Sequence, residues 1–278
     1  MPEMFSIEPW PSLFKAVFAG IIASLACGLG VLPLMIRGID PVKHRGLGYA
    51  FAAGLMFSAS VYNLILPGLE MKGEIHWSLP AVLPILAGIL LGAGFLSLTA
   101  RLMPHGHEDE LPVANAAEKT EANPFAGWGG RMGLLVFLAM TVHSIPEGVA
   151  VGVGYASDGR AVTAALGPTL ALAISIHNIP EGLAVAIPMR SNGVSYFKCF
   201  IAAVATSLPQ PLATIPAVLL AWFFAPLMPL LMGFAAGAMI FLVVLELIPE
   251  ALHTENPSRT AWAFTAGFGL MLLVQVLL

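Results

Sequence analysis

The sequence predicts an all-α integral membrane protein of eight transmembrane helices in a 3+2+3 arrangement with inverted repeats, both termini lying on the extracellular or periplasmic side. Three observations carry that expectation. Of 278 residues, 58% are hydrophobic and 10% are charged, against about 25% charged in ordinary soluble domains, and the mean hydropathy is +0.87. Uncharged runs recur along the chain, each long enough to cross a hydrocarbon core of about 30 Å as a helix. Lys and Arg are shared unevenly among the connections between those runs.

The spans follow in order. Residues 12–36 form the first: Ala16 to Ile36 carries no charge, continues past Ser24-Leu25-Ala26-Cys27, and is followed rather than preceded by basic residues, which marks a permanent span and not a cleaved signal. Residues 46–69 and 77–101 form the second and third. Residues 103–130 form a polar cytoplasmic loop holding His105-Gly106-His107-Glu108-Asp109-Glu110; His105 and His107 are candidates for metal capture, and a solvated acidic loop is the other reading. Residues 131–156 and 161–189 form spans four and five, whose only acidic residues are Glu147 and Glu181. Cys199 to Leu245 is uncharged and too long for one crossing. Ala225-Pro226-Leu227-Met228-Pro229 supplies a turn that divides it into spans 197–224 and 229–251. Residues 260–278 make the eighth, so the chain reads as a single transmembrane domain over 1–278. Cys27 and Cys199 lie in apolar runs and spell neither a disulfide framework nor a CxxC site; buried thiols are expected.

Orientation follows from the loop cations. With eight spans, one side receives Arg37, Lys43, Arg45, Arg101, Lys119, Arg131, Arg190, Lys198 and Arg259, the other only Lys15, Lys72 and Arg160. The richer side is cytoplasmic, which puts both termini outside. Phe51-Ala52-Ala53-Gly54-Leu55-Met56 in span two resembles Phe234-Ala235-Ala236-Gly237-Ala238-Met239 in span seven, and the same register sets Asn63 opposite Glu246. Three spans before a central pair and three after it would enter from opposite sides, as in transporters built on inverted repeats; shared helix-packing needs are the alternative.

The chemistry lies in a repeated hexapeptide. His143-Ser144-Ile145-Pro146-Glu147-Gly148 in span four returns as His177-Asn178-Ile179-Pro180-Glu181-Gly182 in span five. Ionisable residues inside a membrane are costly and usually functional. On a helix, residues four apart share a face, so each histidine points with its glutamate. Two such faces packed together bring two imidazoles and two carboxylates to one point, a ligand set that suits Zn²⁺. Two carboxylates carry a charge that one divalent cation cancels. Pro146 and Pro180 withhold hydrogen bonds from the carbonyls of Val142 and Ile176, and the glycines allow close helix approach. Proline-kinked helices joined by polar contacts would use the same residues, but the repetition in consecutive spans favours metal. Gln210, in Ser207-Leu208-Pro209-Gln210-Pro211, serves either helix packing or site lining. Glu246 and Glu250 at the cytoplasmic end of span seven are candidate exit-pathway ligands; interfacial snorkelling or capping is the alternative.

These spans and the paired His-x-x-Pro-Glu-Gly units resemble the ZIP (Zrt/Irt-like) family of divalent metal transporters, and the chain is most similar to its bacterial GufA-like branch. The resemblance implies import of Zn²⁺ and related divalent ions into the cytoplasm through a site between spans four and five. It also implies a bundle of spans one, four, five and six sliding against a scaffold of spans two, three, seven and eight, often within a homodimer. Carried over residue by residue, His143, Glu147, His177 and Glu181 match the family's primary site, with Asn178 beside it. Many relatives build a second, adjacent site on an Asn after the first histidine and a Glu in span six. This chain has Ser144 and Gln210 there, so one tightly held ion with a weak neighbouring position is expected.

Other classes fare worse. A membrane zinc protease needs His-Glu-x-x-His, which does not occur, and carboxylate di-iron sites pair Glu with a His three residues later. An intramembrane metalloenzyme is therefore disfavoured, and no enzyme activity is expected. A divalent metal channel using the same four ligands is not separated from a carrier by sequence. His₂Glu₂ accepts Cd²⁺, Fe²⁺, Mn²⁺, Co²⁺ and Ni²⁺ as well as Zn²⁺. No organic cofactor and no nucleic acid partner are expected; the partners are metal ions and the bilayer of a plasma membrane, such as a bacterial inner membrane.

Overall fold

The computed structural model describes residues 9–36, 43–70, 79–102, 130–157 and 166–277. His105 and His107 lie outside them. Among the described residues all regular structure is helical: α1 (Pro9–Leu29), α2 (Arg45–Ala59), α3 (Leu66–Glu70), α4 (Leu79–Leu102), α5 (Gly130–Ser157), α6 (Leu166–Ser191), α7 (Tyr196–Ser207), α8 (Pro209–Leu219), α9 (Ala221–Phe224), α10 (Met228–Leu242), α11 (Ile248–Thr254) and α12 (Pro257–Leu277). They assemble into eight segments long and apolar enough to cross a membrane. Spans one, three, four, five and eight are α1, α4, α5, α6 and α12. Span two is α2 and α3 with a π turn between them, span six is α7 and α8, and span seven runs from α9 to α11.

Prolines explain where spans bend. Pro209 cannot donate to the carbonyl of Ala205, and the amide of Leu208 takes that acceptor instead at 3.3 Å. Pro211 likewise leaves the carbonyl of Ser207 without its helical donor. Ser24 of α1 supplies one: its hydroxyl, shared with the Gly20 carbonyl at 2.9 Å, lies 2.7 Å from the Ser207 oxygen. The break between α7 and α8 is thus satisfied from the neighbouring helix. The break between spans six and seven falls at Leu220, which leaves helical geometry at φ −118°, ψ 36°, ahead of the Ala225–Pro229 pentapeptide; α9 and a 3₁₀ turn at Ala225–Leu227 then lead into α10.

Helices α1, α5, α6, α7 and α8 pack on one another, and α2, α4, α10, α11 and α12 form a second set, joined to the first mainly along α10–α5 and α2–α6. Within the second set, α2 lies against α12 and α10 against α4. The two similar hexapeptides of spans two and seven occupy matching places there. A side chain at Gly54 would strike the carbonyl of Phe264, and one at Gly237 the carbonyl of Ile89. Both hexapeptides also lead into a π-helical turn, Ser60–Ile65 in span two and Val243–Leu247 in span seven. Pro67 and Pro249 follow these turns; each lacks the amide that would continue an α ladder, and the wider turn absorbs the gap. Trp10, Trp222 and Trp262, all well exposed, lie near span ends, where amphipathic rings sit at headgroup level.

Candidate metal site

Both hexapeptides lie inside unbroken helices, Pro146 within α5 and Pro180 within α6, and α5 packs directly on α6. His143, Glu147, His177 and Glu181 converge between them. One potential ligand atom from each lies within 4.8 Å of the others, and all four residues are buried, none more than 1% exposed.

The glycines that close each hexapeptide bring in other helices. A side chain at Gly182 would collide with the carbonyl of Cys27 in α1, and one at Gly148 with the backbone of Gln210 in α8. Spans one and six are thereby pressed against the helices that carry the ligands. Cys27 is buried, as expected, and its sulfur lies 3.7 Å from Oγ1 of Thr206; Cys199 is also buried and unbridged.

The distances divide into two kinds. His143 Nε2 lies 3.4 Å from Glu147 Oε1, and His143 Nδ1 lies 3.6 Å from Glu181 Oε1. Those values are close to the edge of a tetrahedron of zinc ligands, about 3.3 Å for bonds near 2.0–2.1 Å. His177 Nε2 stands closer, 2.8 Å from both Glu181 Oε1 and Glu147 Oε1. Only the Glu181 contact has hydrogen-bond geometry; Glu147 Oε1 at the same distance is left without a hydrogen bond, as are both ring nitrogens of His143 and Glu181 Oε2. Buried polar atoms without partners are rare and costly. Here three residues of the four-ligand cluster, His143, Glu147 and Glu181, carry such atoms, and a divalent cation between the two carboxylates would answer their charge and their lone pairs together.

Gln210 stands against Glu147, and Asn178 against Gln210. Gln210 Nε2 donates to Glu147 Oε2 and to Asn178 Oδ1 at 3.3 Å. Asn178 Nδ2 in turn donates to Gln210 Oε1 at 2.9 Å and to the carbonyl of Ala23 at 2.8 Å. Ser144, also buried, turns its hydroxyl back to the carbonyl of Met140 at 2.8 Å. Glu246 and Glu250 stand outside the four-ligand cluster; Glu246 lies in the π turn of span seven, and Glu250 faces Arg45 of span two at 3.6 Å.

One neighbour of the ligands was not foreseen as such. Asn63, from the π turn of span two, places Nδ2 3.2 Å from His177 Nδ1. In the sequence it stands out only as the partner of Glu246 in the repeat register. No local spacing ties it to the hexapeptides.

A bundle of eight membrane-length helices around a buried His₂Glu₂ cluster defines a transmembrane metal transporter. Comparison with known proteins gives the family. A model described as ZIP zinc transporter matches residues 105–275. The zinc transporter GufA of Myxococcus xanthus is 34% identical over 263 residues, 93% of this chain and 98% of its own. The zinc transporter ZIPB of Bordetella bronchiseptica is 35% identical over 95% of this chain and 81% of its own. A longer Arabidopsis thaliana protein is 35% identical over 88% of this chain, the match covering 36% of that relative. The chain belongs to the ZIP family, whose members are named for zinc transport rather than for an enzymatic reaction.

Proposed function

We propose that this chain carries Zn²⁺ into the cytoplasm by alternating access, holding the ion on His143, Glu147, His177 and Glu181, with both termini outside and the flanking triplets of spans related as an inverted repeat. The observation that carries the reading is the buried cluster itself: two carboxylates and two imidazoles from consecutive spans, with several of their ligand atoms lacking other partners. The charge of the two glutamates favours a divalent over a monovalent ion. Imidazole and carboxylate together suit Zn²⁺ and Cd²⁺ and admit Fe²⁺, Mn²⁺, Co²⁺ and Ni²⁺, so competition among ions is expected.

Binding is to one ion. Gln210 presents an N–H donor to Glu147 Oε2, the lone pair with which that glutamate would bridge to a second cation. Asn178 is tied to Gln210 and Ala23, and Ser144 to Met140. These contacts support a neighbouring position that is weak, used only in passage. Glu246 and Glu250 act on the exit side, with Arg45 as counter-ion to Glu250. The division of the helices into two packed sets supports movement of spans one, four, five and six against the others; pairing of two copies into a homodimer completes the reading.

The test is Zn²⁺ uptake into proteoliposomes of the purified protein, with competing divalent ions and at two pH values. Saturable uptake that other divalent ions inhibit, and whose rate falls steeply on cooling, is the carrier outcome. Non-saturating flux with little temperature dependence would make the protein a channel, and absence of flux would remove the transport reading.

A further inference from the structure

Asn63 comes from span two, whereas every ligand comes from spans four and five. It is 7% exposed, and its Nδ2 lies 3.2 Å from Nδ1 of His177. Its Oδ1 is buried without a hydrogen-bond partner. The other nitrogen of the same ring, Nε2, is the one facing both glutamates at 2.8 Å. Asn63 therefore meets the imidazole at the nitrogen that is not turned to the glutamates.

Building on the metal-site reading above, we infer that Asn63 is a positioning residue that serves both tautomers of His177, holding the ring in place whether or not an ion is bound. An amide has a donor and an acceptor in nearly equivalent places, and a half-turn about Cβ–Cγ exchanges them. With Nδ2 towards the ring, Nδ1 accepts, and the ring proton sits on Nε2, where it donates to Glu181. In that tautomer Nε2 bears a proton and has no lone pair for a metal ion. To bind metal through Nε2 the neutral ring must carry its proton on Nδ1, and that N–H needs an acceptor; Asn63 Oδ1, now without a partner, provides one after the half-turn. Between these two neutral forms the ring exchanges one N–H for the other. A carboxylate here would favour only the metal-bound tautomer and a methionine would satisfy neither hydrogen bond, whereas the amide accommodates both. Outer partners of this kind fix the tautomer and orientation of ligating histidines.

The experiment is a double-mutant cycle on Zn²⁺ affinity, measured by competition with a chromophoric chelator on full-length protein in detergent at one pH. Asn63→Leu keeps the size and removes both hydrogen bonds; its expected effect is a loss of about 10- to 100-fold in affinity, the usual range for such partners. His177→Ala is expected to bind more weakly still, and adding Asn63→Leu to it should cost nothing further, because the amide acts through the ring. Asn63→Asp retains the acceptor for Nδ1–H and is expected to keep affinity near that of the wild type. Wild-type affinity in Asn63→Leu, or a loss that adds in full to that of His177→Ala, overturns the inference; the second outcome would make Asn63 an independent ligand or a packing residue. Wild-type affinity in His177→Ala instead overturns the metal-site reading on which this rests. If Asn63→Leu does not fold, Asn63→Ser, whose shorter hydroxyl does not reach the ring, takes its place in the cycle with the same outcomes.

Discussion

Gln210 donates from its amide nitrogen to Oε2 of Glu147 while its own carbonyl accepts from Asn178. The amide stands where a bridging cation would use the second oxygen of Glu147, and a neutral donor there opposes a positive ion. Wild-type protein is expected to hold close to one tightly bound divalent ion. Ser144→Asn combined with Gln210→Glu should raise this toward two, because an added carboxylate and a longer amide oxygen supply the missing ligands. Equilibrium dialysis or elemental analysis measures the stoichiometry; two tight ions in the wild type would show that Ser144 and Gln210 serve as ligands.

His177→Ala and Glu181→Ala should each reduce Zn²⁺ uptake to near background while the protein still inserts and purifies as a folded species. Each removes one of four ligand groups, and Glu181→Ala also removes one of two negative charges. Uptake is compared in proteoliposomes at equal protein density. Wild-type rates in both variants would contradict the site.

Protons and metal ions compete for the same nitrogen and carboxylate lone pairs, so the ion-free site binds more protons than the loaded one. Apparent affinity for Zn²⁺ is therefore expected to fall as the medium is acidified, and loading should release protons. Calorimetric titration in buffers of different ionisation enthalpy counts them. A flat affinity between about pH 5.5 and 7.5 would argue against histidine ligation.

Ser24→Ala tests how the bend in span six is held. It leaves the Ser207 carbonyl, which Pro211 cannot serve, without the hydroxyl 2.7 Å away. An unsatisfied buried acceptor costs about 1–3 kcal/mol, which should appear as a lowered midpoint of thermal unfolding in detergent. An unchanged midpoint would mean that the bend is maintained by packing alone.

The spans were legible because a membrane allows few charges, and each uncharged run is itself the signal. The four-ligand cluster was legible for the same reason: Glu147 and Glu181 interrupt apolar runs, and each has a histidine one helical turn earlier. Relationships across helices were not. The contact of Asn63 with His177 joins spans two and five through a π turn that no residue pattern announces, and the hydroxyl of Ser144 could be seen in the sequence but not its turn back to Met140. Pro209 and Pro211 stand in plain view in span six, yet the hydroxyl that completes the bend comes from span one.

The π turn at Ser60–Ile65 amounts to one surplus residue in an otherwise regular helix. Wound as regular α-helix, the same residues would turn everything after them by about 100° relative to α2, the angle of one residue at 3.6 per turn. Asn63 would then leave His177, while α3 would lose its present seat on α4 and α10. The extra residue thus works as a phase setting: it lets the first half of span two pack in step with α12 and the second half present an amide to the metal site.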